Sequence, residues 1–462
     1  MANNTVEKLP FDKLIIFALG QLGWSLASFA VGNALIYFYM PPESGNTTLF
    51  PNYIFQGAIL GFITLIGLIN AGGRLFDAFI DPWLANLSDR NKSRFGRRRI
   101  FMAFSALPLA IFSFLIFVPL TSGVSTLNSV WLIICITLFY ISITAYTMPY
   151  NALISELGHT PSERLNISTA ISVTFALGFA IGNQIYVLTN VFSNKFHLNN
   201  TAAFQMVQLI FVFISLILML LPVIFINENR YVEKHTSDDG VIKSIKKVFK
   251  NKNFLRFSFA DLTYFLSLNF IQMGISYFII TLLGLDKGLI SFLMLILFGV
   301  SFLFYVPINI LAKKIGKKRI MIFAFIMFAI DFLIIALLNK FPVSHEFQAY
   351  AIVIIAAIPI AIFGILPTAI VADIAEADGI ETGDYKAGIF FGTRTFMMKL
   401  GISVANLLFP SFLLLGKSVE DPTGIRVAAF AAVIFCVIGL SLFITYNEKK
   451  VLDTLKKKEQ IV

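Results

Sequence analysis

Apolar runs of about 20 residues recur along the whole chain, and this feature limits the possible folds more than any other. Each run is long enough to cross the ~30 Å hydrocarbon core of a bilayer as a helix. One or two such runs could be buried helices of a soluble core, but a long series could not. Because a bilayer core offers no water to backbone polar groups, each crossing segment must be helical. The pattern predicts an all-α membrane protein.

Twelve apolar segments can be delimited, and we expect twelve transmembrane helices. They cover residues 12–40, 54–86, 100–121, 128–154, 167–194, 203–227, 255–283, 289–312, 320–339, 349–372, 387–415 and 426–446. The longest hydrophilic stretch separates the first six apolar segments from the last six. The predicted organisation is a six-helix bundle over 1–227, a central cytoplasmic loop over 228–254, a second six-helix bundle over 255–446 and a cytoplasmic tail over 447–462.

Basic residues give the chain a formal net charge of +10, and they are distributed unevenly. Lys and Arg fill one set of alternate connections, the central loop and the tail, whereas the opposite connections carry few. The positive-inside rule therefore places both termini in the cytoplasm, with the protein in the plasma or inner membrane. Contact with anionic lipid head groups of the bilayer accounts for the charge, and a nucleic-acid partner is not expected.

Similar basic turns follow the second span of each half. Residues 96–100 (GRRRI) and 316–320 (GKKRI) are 220 residues apart, since 316 − 96 = 220. An internal repeat at this position is typical of a transporter built from two related bundles.

Span two contains two carboxylates and a guanidinium. Asp77 and Asp81 are four residues apart and share one helix face, and Arg74 lies three residues before Asp77. Charged groups inside a membrane are costly and usually face a bundle interior or a water-filled path. The pair could hold Na⁺ through oxygen ligands, or one carboxyl could carry a proton. Alternatively, Arg74 neutralises one carboxylate and Asp81 ends the helix before Pro82. A single guanidinium cannot neutralise both carboxylates, which favours the ion site.

Lys399 and Asp261 are charged residues inside spans of the second half. Lys399 is deep in span eleven, where snorkelling to water is difficult. We expect Lys399 and Arg74 to act in coupling, with Lys399 pairing with Asp77 or Asp81 when no cation is bound. Asp261 of span seven has either a transport role or a local one, as a helix cap or salt-bridge partner.

Motifs for covalent chemistry are missing from the sequence. There is no Walker-type phosphate loop, His-Glu metal motif or nucleophile elbow. The sequence therefore argues against an ATP-driven pump and against an enzyme. No cofactor is expected, and no metal beyond a possible Na⁺.

The doubled six-span layout with its basic second loop resembles the major facilitator superfamily. Residues 74–82 (RLFDAFIDP), 149–153 (PYNAL), 162–164 (SER) and the run from Thr382-Gly383 to Lys399 are similar to motifs of its glycoside–pentoside–hexuronide:cation symporters. The resemblance extends over both halves. It implies the major facilitator fold, with two six-helix pseudo-repeats, and cation-coupled symport by alternating access. We expect the protein to be a monomer.

The resemblance also implies ligands. The family's cation site uses a Thr of span four, and Thr144 has that position, whereas Ile80 stands where the family has an Asn. At the family's charged sugar-binding positions this chain has Ser25, Thr147 and Ser172, and at the stacking aromatic it has Asn151. The other candidate substrate residues are Gln21, Trp24, Tyr150 and Arg394. Charged helix ends that form a cytoplasmic gate, or merely follow the positive-inside rule, are Asp89, Arg90, Arg97, Arg164 and Asp373.

We therefore predict a secondary active transporter that couples Na⁺ or H⁺ to a small solute, with a sugar or glycoside preferred. A lysolipid or other amphiphile is the alternative, because the neutral polar positions and the 50 Phe would suit an acyl chain. A non-transporting membrane scaffold is the alternative of another class, but it would gain nothing from buried charges.

Overall fold

The computed structural model describes residues 7–44, 47–59, 61–89, 91, 93–158, 161–232, 248–383 and 387–459, and these are almost entirely helical. The first helices are α1 (Phe11–Tyr39), α2 (Leu65–Asp89), α3 (Arg99–Leu115), α4 (Thr126–Leu157), α5 (Pro161–Gly182), α6 (Ile185–Phe196), α7 (Asn200–Phe225) and α8 (Glu228–Tyr231). Two short strands, β1 (Glu43–Ser44) and β2 (Thr47–Thr48), follow α1.

The second half continues the same pattern. Its helices are α9 (Lys252–Tyr277), α10 (Gly288–Ile315), α11 (Lys317–Ala336), α12 (His345–Thr382), α13 (Ala387–Phe412), α14 (Thr423–Ile444) and α15 (Glu448–Glu459). A π-helical turn (Phe278–Leu282) extends α9, and a 3-10 turn (Leu413–Leu415) extends α13.

Within the described ranges, nine helices are long and apolar enough to cross a membrane, and ten are when the bent pair α5–α6 counts as one span. The two other predicted spans correspond to α2 and α3. Helix α2 is made more polar by Arg74, Asp77 and Asp81, and α3 is apolar but only 17 residues long. The chain is a multi-pass membrane protein, and the all-α class predicted from the sequence is confirmed.

Spans two and five differ in detail from the prediction. The sequence predicts span two from residue 54, but α2 begins at Leu65, where the Thr64 hydroxyl accepts a hydrogen bond from the Gly67 N–H at 3.2 Å. Gly61, just before this start, has φ +71°, a left-handed conformation that interrupts a helix. Span five is bent by 41° between α5 and α6.

The chain separates into two compact units. The first unit comprises Met1–Pro41, Thr48–Gln56 and Gly72–Asp238, and in it α1 packs against α5 and α7, and α3 against α4 and α7. The second unit comprises Pro42–Thr47, Gly57–Ala71 and Asp239–Val462. In it α9 packs against α13 and α14, α10 against α12, and α11 against α12 and α14.

Aromatic side chains fill the core of each unit. In the first unit the Phe38 ring lies 5.0 Å from Phe50 and 5.1 Å from Phe204, centroid to centroid. In the second unit Tyr264 stacks on Phe363 at 3.7 Å. Offset and edge-on ring contacts add to the energy of burial and hold the helices in register. This aromatic packing holds the helices that carry the polar side chains described below.

Candidate ion and solute site

Helices α2 and α4 bring two carboxylates and one hydroxyl together in the first unit. Asp77 is 2% exposed and Thr144 is 1% exposed, while Asp81, one turn further along α2, is half-buried. The Thr144 hydroxyl donates to Oδ1 of Asp77 and lies 3.2 Å from Oδ1 of Asp81. The four-residue spacing is what lets both carboxyl groups reach the same side chain of α4.

The Thr144 hydroxyl has one hydrogen but is within bonding distance of two carboxyl groups. It can donate to only one of them. Its contact with the other is attractive if that carboxyl carries a proton and donates back to Thr144, or if a cation lies among the oxygens. With both carboxylates ionised and no cation, two lone-pair oxygens would face each other. The geometry is thus suited to binding either H⁺ or Na⁺.

Arg74 compensates one of the two charges. Its guanidinium donates to Oδ2 of Asp77 at 3.2 Å and lies over the Tyr140 ring of α4, 5.6 Å from the centroid. Next to it, a Cβ at Gly73 would collide with Ile136 and Tyr140, so the glycine permits the close approach of α2 to α4. Asp77 is therefore held by a cation and a hydroxyl, whereas Asp81 is the more accessible carboxyl group.

The second unit contains a buried ion pair that the sequence did not predict as a pair. Asp261 of α9 is 1% exposed, and Arg394 of α13 donates to it from Nε at 2.8 Å and from Nη2 at 3.4 Å. Arg394 also contacts the Thr368 hydroxyl at 3.4 Å. Of the alternatives for Asp261, the structure places it in a salt bridge inside the bundle. Arg394, a candidate substrate residue, is a partner of this salt bridge.

Lys399 lies in the middle of α13 and is 7% exposed. Such burial is incompatible with an ammonium group that snorkels to a surface. One turn further along the helix, the Ser403 hydroxyl donates to the Ala71 carbonyl at 2.8 Å. The predicted role of Lys399 in coupling the cation to the solute stays a prediction.

The candidate substrate residues of the first unit differ in accessibility. Gln21, Ser25, Thr147 and Tyr150 are buried, whereas Asn151 and Ser172 are exposed. Ser25 donates to the Leu22 carbonyl at 3.1 Å, and Tyr150 donates to the Phe17 carbonyl at 2.6 Å. A solute would have to compete with these two bonds.

Trp24 differs from these residues because its donor is unused. The Nε1 atom of its half-buried indole is shielded from solvent and has no hydrogen-bond partner in the part of the chain that the structure describes. The indole lies 6.2 Å from the Phe175 ring of α5, which in turn lies 5.2 Å from Phe29. An aromatic surface with one unsatisfied donor can bind a solute that has both apolar and polar faces. Sequence reasoning missed Phe29 and Phe175, which only the packing of α1 on α5 brings to Trp24.

The basic turn of the first unit, residues 96–99, is held by Glu228 of α8. The Glu228 carboxylate accepts hydrogen bonds of 2.9–3.2 Å from the backbone N–H groups of Arg97, Arg98 and Arg99. These groups start α3 and have no acceptor within the helix. Gly96 has φ +108°, and a Cβ there would collide with Glu228. Burial raises the pKa of Glu228, an effect that the three backbone bonds partly offset.

The second unit repeats this arrangement. The Glu448 carboxylate accepts from the N–H groups of Lys317 (2.8 Å) and Lys318 (3.1 Å) at the start of α11, after Gly316 with φ +91°. Glu448 follows Glu228 by 448 − 228 = 220 residues, the offset of the basic turns. Neither glutamate was singled out in the sequence, although this offset could have identified them.

Side-chain ion pairs accompany both basic turns. Arg97 and Arg98 bind Glu156 of α4 at 2.6 and 2.9 Å, and Lys317 binds Asp373 of α12 at 2.5 Å. The predicted gate residues Arg97 and Asp373 thus form ion pairs within their own units. Arg90 lies outside the described residues, as do the side chains of Asp89 and Arg164.

Comparison with known proteins agrees with this architecture. A family model described as MFS/sugar transport protein matches residues 16–446. Sodium-dependent lysophosphatidylcholine symporter 1 of Xenopus tropicalis is 24% identical over 497 residues, which cover 96% of this chain and 89% of that protein. The isoprimeverose transporter of Lactiplantibacillus pentosus is 25% identical over 330 residues, which cover 71% of this chain and 64% of that protein.

A solved structure shows the same fold. The crystal structure of a D-xylose-proton symporter has a TM-score of 0.66 at 15% identity, and the match covers 95% of this chain and 97% of that one. At this identity the likeness concerns the fold alone.

Proposed function

The chain belongs to the MFS/sugar transport protein family, and on this premise we propose that it carries a sugar or glycoside together with Na⁺ or H⁺ across the membrane. It is a transporter and not an enzyme, as the sequence predicts. The proposal specifies the solute and the coupling ion, and it assigns them to particular residues. It also places the protein in the cell membrane, as a monomer with both termini in the cytoplasm.

The observation that carries the proposal is the contact of Thr144 with both Asp77 and Asp81. Arg74 pairs with Asp77 at 3.2 Å, so the Asp77 carboxyl group is already engaged by a cation. Asp81 is the exchangeable group. It either takes up a proton and donates it to the Thr144 oxygen, or it joins Thr144 and Asp77 as an oxygen ligand of Na⁺. Both events remove the repulsion between the carboxylates, which makes a conformation that buries them more stable.

The solute half of the proposal rests on the surface of α1 and α5. Trp24 offers its unused N–H to a hydroxyl of the solute. The further polar groups assigned to the solute lie on α1, α4 and α5, and they are Gln21, Ser25, Thr147, Tyr150, Asn151 and Ser172. Arg394 of the second unit is kept as a candidate solute residue. Lys399 and Arg74 are assigned to coupling, and Asp89, Arg90, Arg97, Arg164 and Asp373 to the cytoplasmic gate.

A lysolipid is the second candidate solute. The relative from Xenopus tropicalis, whose alignment covers 96% of this chain, is named as a lysophosphatidylcholine symporter. The rings of Phe29 and Phe175 beside Trp24 would suit an acyl chain as well as a sugar face. Both candidates carry acceptors for the Trp24 N–H, namely the hydroxyls of a sugar and the phosphate and ester oxygens of a lysolipid, so binding measurements with both solutes are needed to tell them apart.

Thermal stabilisation and uptake by purified protein distinguish the two solutes. The panel consists of isoprimeverose, other pentosides, glycosides, uronides and lysophosphatidylcholine. We expect a glycoside to stabilise the parent, and Trp24→Phe to weaken its binding about tenfold, the loss of one hydrogen bond. The control is Trp131→Phe, since Trp131 donates its N–H to the Val118 carbonyl at 3.0 Å, away from the proposed solute surface. Stabilisation by lysophosphatidylcholine alone, unchanged in Trp24→Phe, would reject the sugar.

A further inference from the structure

Asp331 is a buried acid that neither the proposed ion site nor the sequence prediction uses. It lies in α11, five residues before the end of that helix, and is fully buried. Neither carboxyl oxygen has a hydrogen-bond partner among the described residues. Buried carboxyl groups are normally paired, so this one calls for a physical explanation.

No positively charged side chain of the described residues is bonded to the Asp331 carboxyl group. Cys436 of α14 is the titratable group that interacts with Asp331, and its thiol donates to the Ser267 hydroxyl of α9 at 3.5 Å. Both of these residues are fully buried. Asp331 thus has an electrostatic interaction with the Cys436 thiol, which in turn is hydrogen-bonded to Ser267.

The charged groups on the helices packed against α11 are engaged elsewhere. On α14, Arg426 donates to the carbonyls of Ala336 (2.5 Å), the last residue of α11, and Leu338 (3.0 Å), which follows that helix. The acids of α12 from Asp373 to Glu381, with Lys313 and Lys314 of α10, lie by the start of α11, because Lys317 binds Asp373. Asp331 is about 21 Å further along the helix axis, 14 residues at 1.5 Å each.

Four titratable groups remain on these helices. On α12, His345 and Glu346 are exposed, and the Tyr350 ring packs 6.4 Å from Phe292 of α10. On α10, Tyr305 packs 5.1 Å from Phe302. None of them is bonded to the Asp331 carboxyl group.

An ionised carboxylate without a partner is strongly disfavoured in such a place. A metal cation does not solve the problem, because Na⁺-like hard cations need several oxygen ligands, and the described residues contain no group of three or more acidic, His or Cys side chains that could hold a metal ion. A proton does solve it, since it removes the charge and needs no further ligand. The ligand chemistry that fits Asp331 is therefore H⁺.

We propose that Asp331 is a second proton-binding site, which holds a proton in the described conformation and exchanges it with water when the second unit opens during transport. This deepens the proposed function and rests on it, since the exchange requires a cycling transporter. On opening, the O–H bond of the Asp331 carboxyl breaks, the proton passes to a water molecule, and the carboxylate is hydrated. On closing, a proton returns from water before the group is buried.

Infrared spectroscopy of protein labelled with carbon-13 aspartate tests the site directly. The parent at neutral pH should show the carbonyl band of a protonated carboxylic acid, and Asp331→Asn should remove it. Asp421→Asn is the matched control, because Asp421 is exposed, and should leave the band unchanged. A parent spectrum with no component lost in Asp331→Asn would show that Asp331 is ionised, and would overturn the proposal.

Transfer to D₂O tests the exchange. The Asp331 band should shift to that of the deuterated acid while the backbone amides of α11 are still protected. A band that stays unshifted until α11 itself exchanges would mark a permanently locked acid and would equally overturn the proposal. Asp331→Leu is a second variant in case the amide folds poorly, and it should remove the same band.

Uptake separates this proposal from the proposed function. With the best solute of the panel, Asp331→Asn should lower accumulation driven by a pH gradient at least tenfold while equilibrium exchange of the solute continues. Unchanged accumulation in Asp331→Asn would overturn the proton site alone. Failure of the parent to accumulate any solute would reject the proposed function, whatever the infrared result.

Discussion

Replacing Glu228 with Ala should destabilise the protein more than the equivalent replacement of Glu448. Glu228 is 5% exposed and accepts bonds from three backbone N–H groups, whereas Glu448 is half-exposed and accepts from two. A hydrogen bond to a charged group contributes about 1.5–3 kcal/mol. A carboxylate at a helix start adds about 0.3–1 kcal/mol. Water replaces some of these bonds after truncation, so we expect a loss of about 2–4 kcal/mol at Glu228.

The loss at Glu448 should be about half as large, because fewer N–H groups are involved and water reaches them. The assay is thermal unfolding in detergent, in which 1 kcal/mol shifts the midpoint by roughly 2–4 °C for a unit of this size. Exposed Glu420 provides the control, and Glu420→Ala should leave the midpoint unchanged. Equal shifts for Glu228→Ala and Glu448→Ala, or none for either, would refute the argument from buried helix-start bonds.

The pH dependence of Glu228 has a definite sign. Burial raises its pKa in the folded protein above the ordinary value, so the folded state binds the proton more tightly than the unfolded state. The part of the stability that comes from proton binding by Glu228 is therefore fully present below the ordinary pKa and is lost as the pH rises through the raised one, whereas the hydrogen bonds to the backbone N–H groups persist. Glu228→Gln should remove this pH-dependent part of the free energy of unfolding. Above the raised pKa, the free energy of unfolding should change with pH at the same rate in parent and variant.

The remaining predictions concern the buried charges. Lys399→Ala should leave downhill movement of solute partly intact but impair accumulation, and Lys399→Arg should not restore it, because a guanidinium differs in shape and hydration; full accumulation with unchanged cation dependence would make the residue a bystander. Asp261→Leu and Arg394→Leu should each destabilise by about 3–5 kcal/mol, and the double variant by much less, because only the single variants leave a buried charge unpaired; additive losses in thermal unfolding would contradict this. Thr144→Val should weaken the apparent cation affinity about tenfold and Thr144→Ser should retain it, since one hydrogen-bonding oxygen is lost only in the former.

The sequence predicted the fold because membrane insertion imposes a strong pattern. The apolar runs and the 220-residue repeat need no tertiary information. The position of Asp77 and Asp81 on one face follows from helix geometry alone. Thr144, in contrast, came from the family resemblance, since no local pattern links α4 to α2.

Contacts between distant segments explain what the sequence did not yield. The pair of Asp261 and Arg394 spans 133 residues, and it depends on how α9 packs on α13. Asp331 was overlooked, although a single acid in an otherwise apolar span was a visible signal. Helix α2 starts later than predicted because hydropathy alone does not register the left-handed Gly61.

Ion-driven accumulation by Asp77→Asn and Asp81→Asn tests the central claim most directly. Each variant is reconstituted in vesicles, and uptake of the best solute of the panel is measured with an imposed Na⁺ or H⁺ gradient. Asp12→Asn, at an exposed acid of α1, is the control. We predict that both variants fold and bind solute but fail to concentrate it, whereas the control accumulates like the parent. Normal concentrative uptake by both Asp77→Asn and Asp81→Asn would contradict the assignment of the coupling ion to this site.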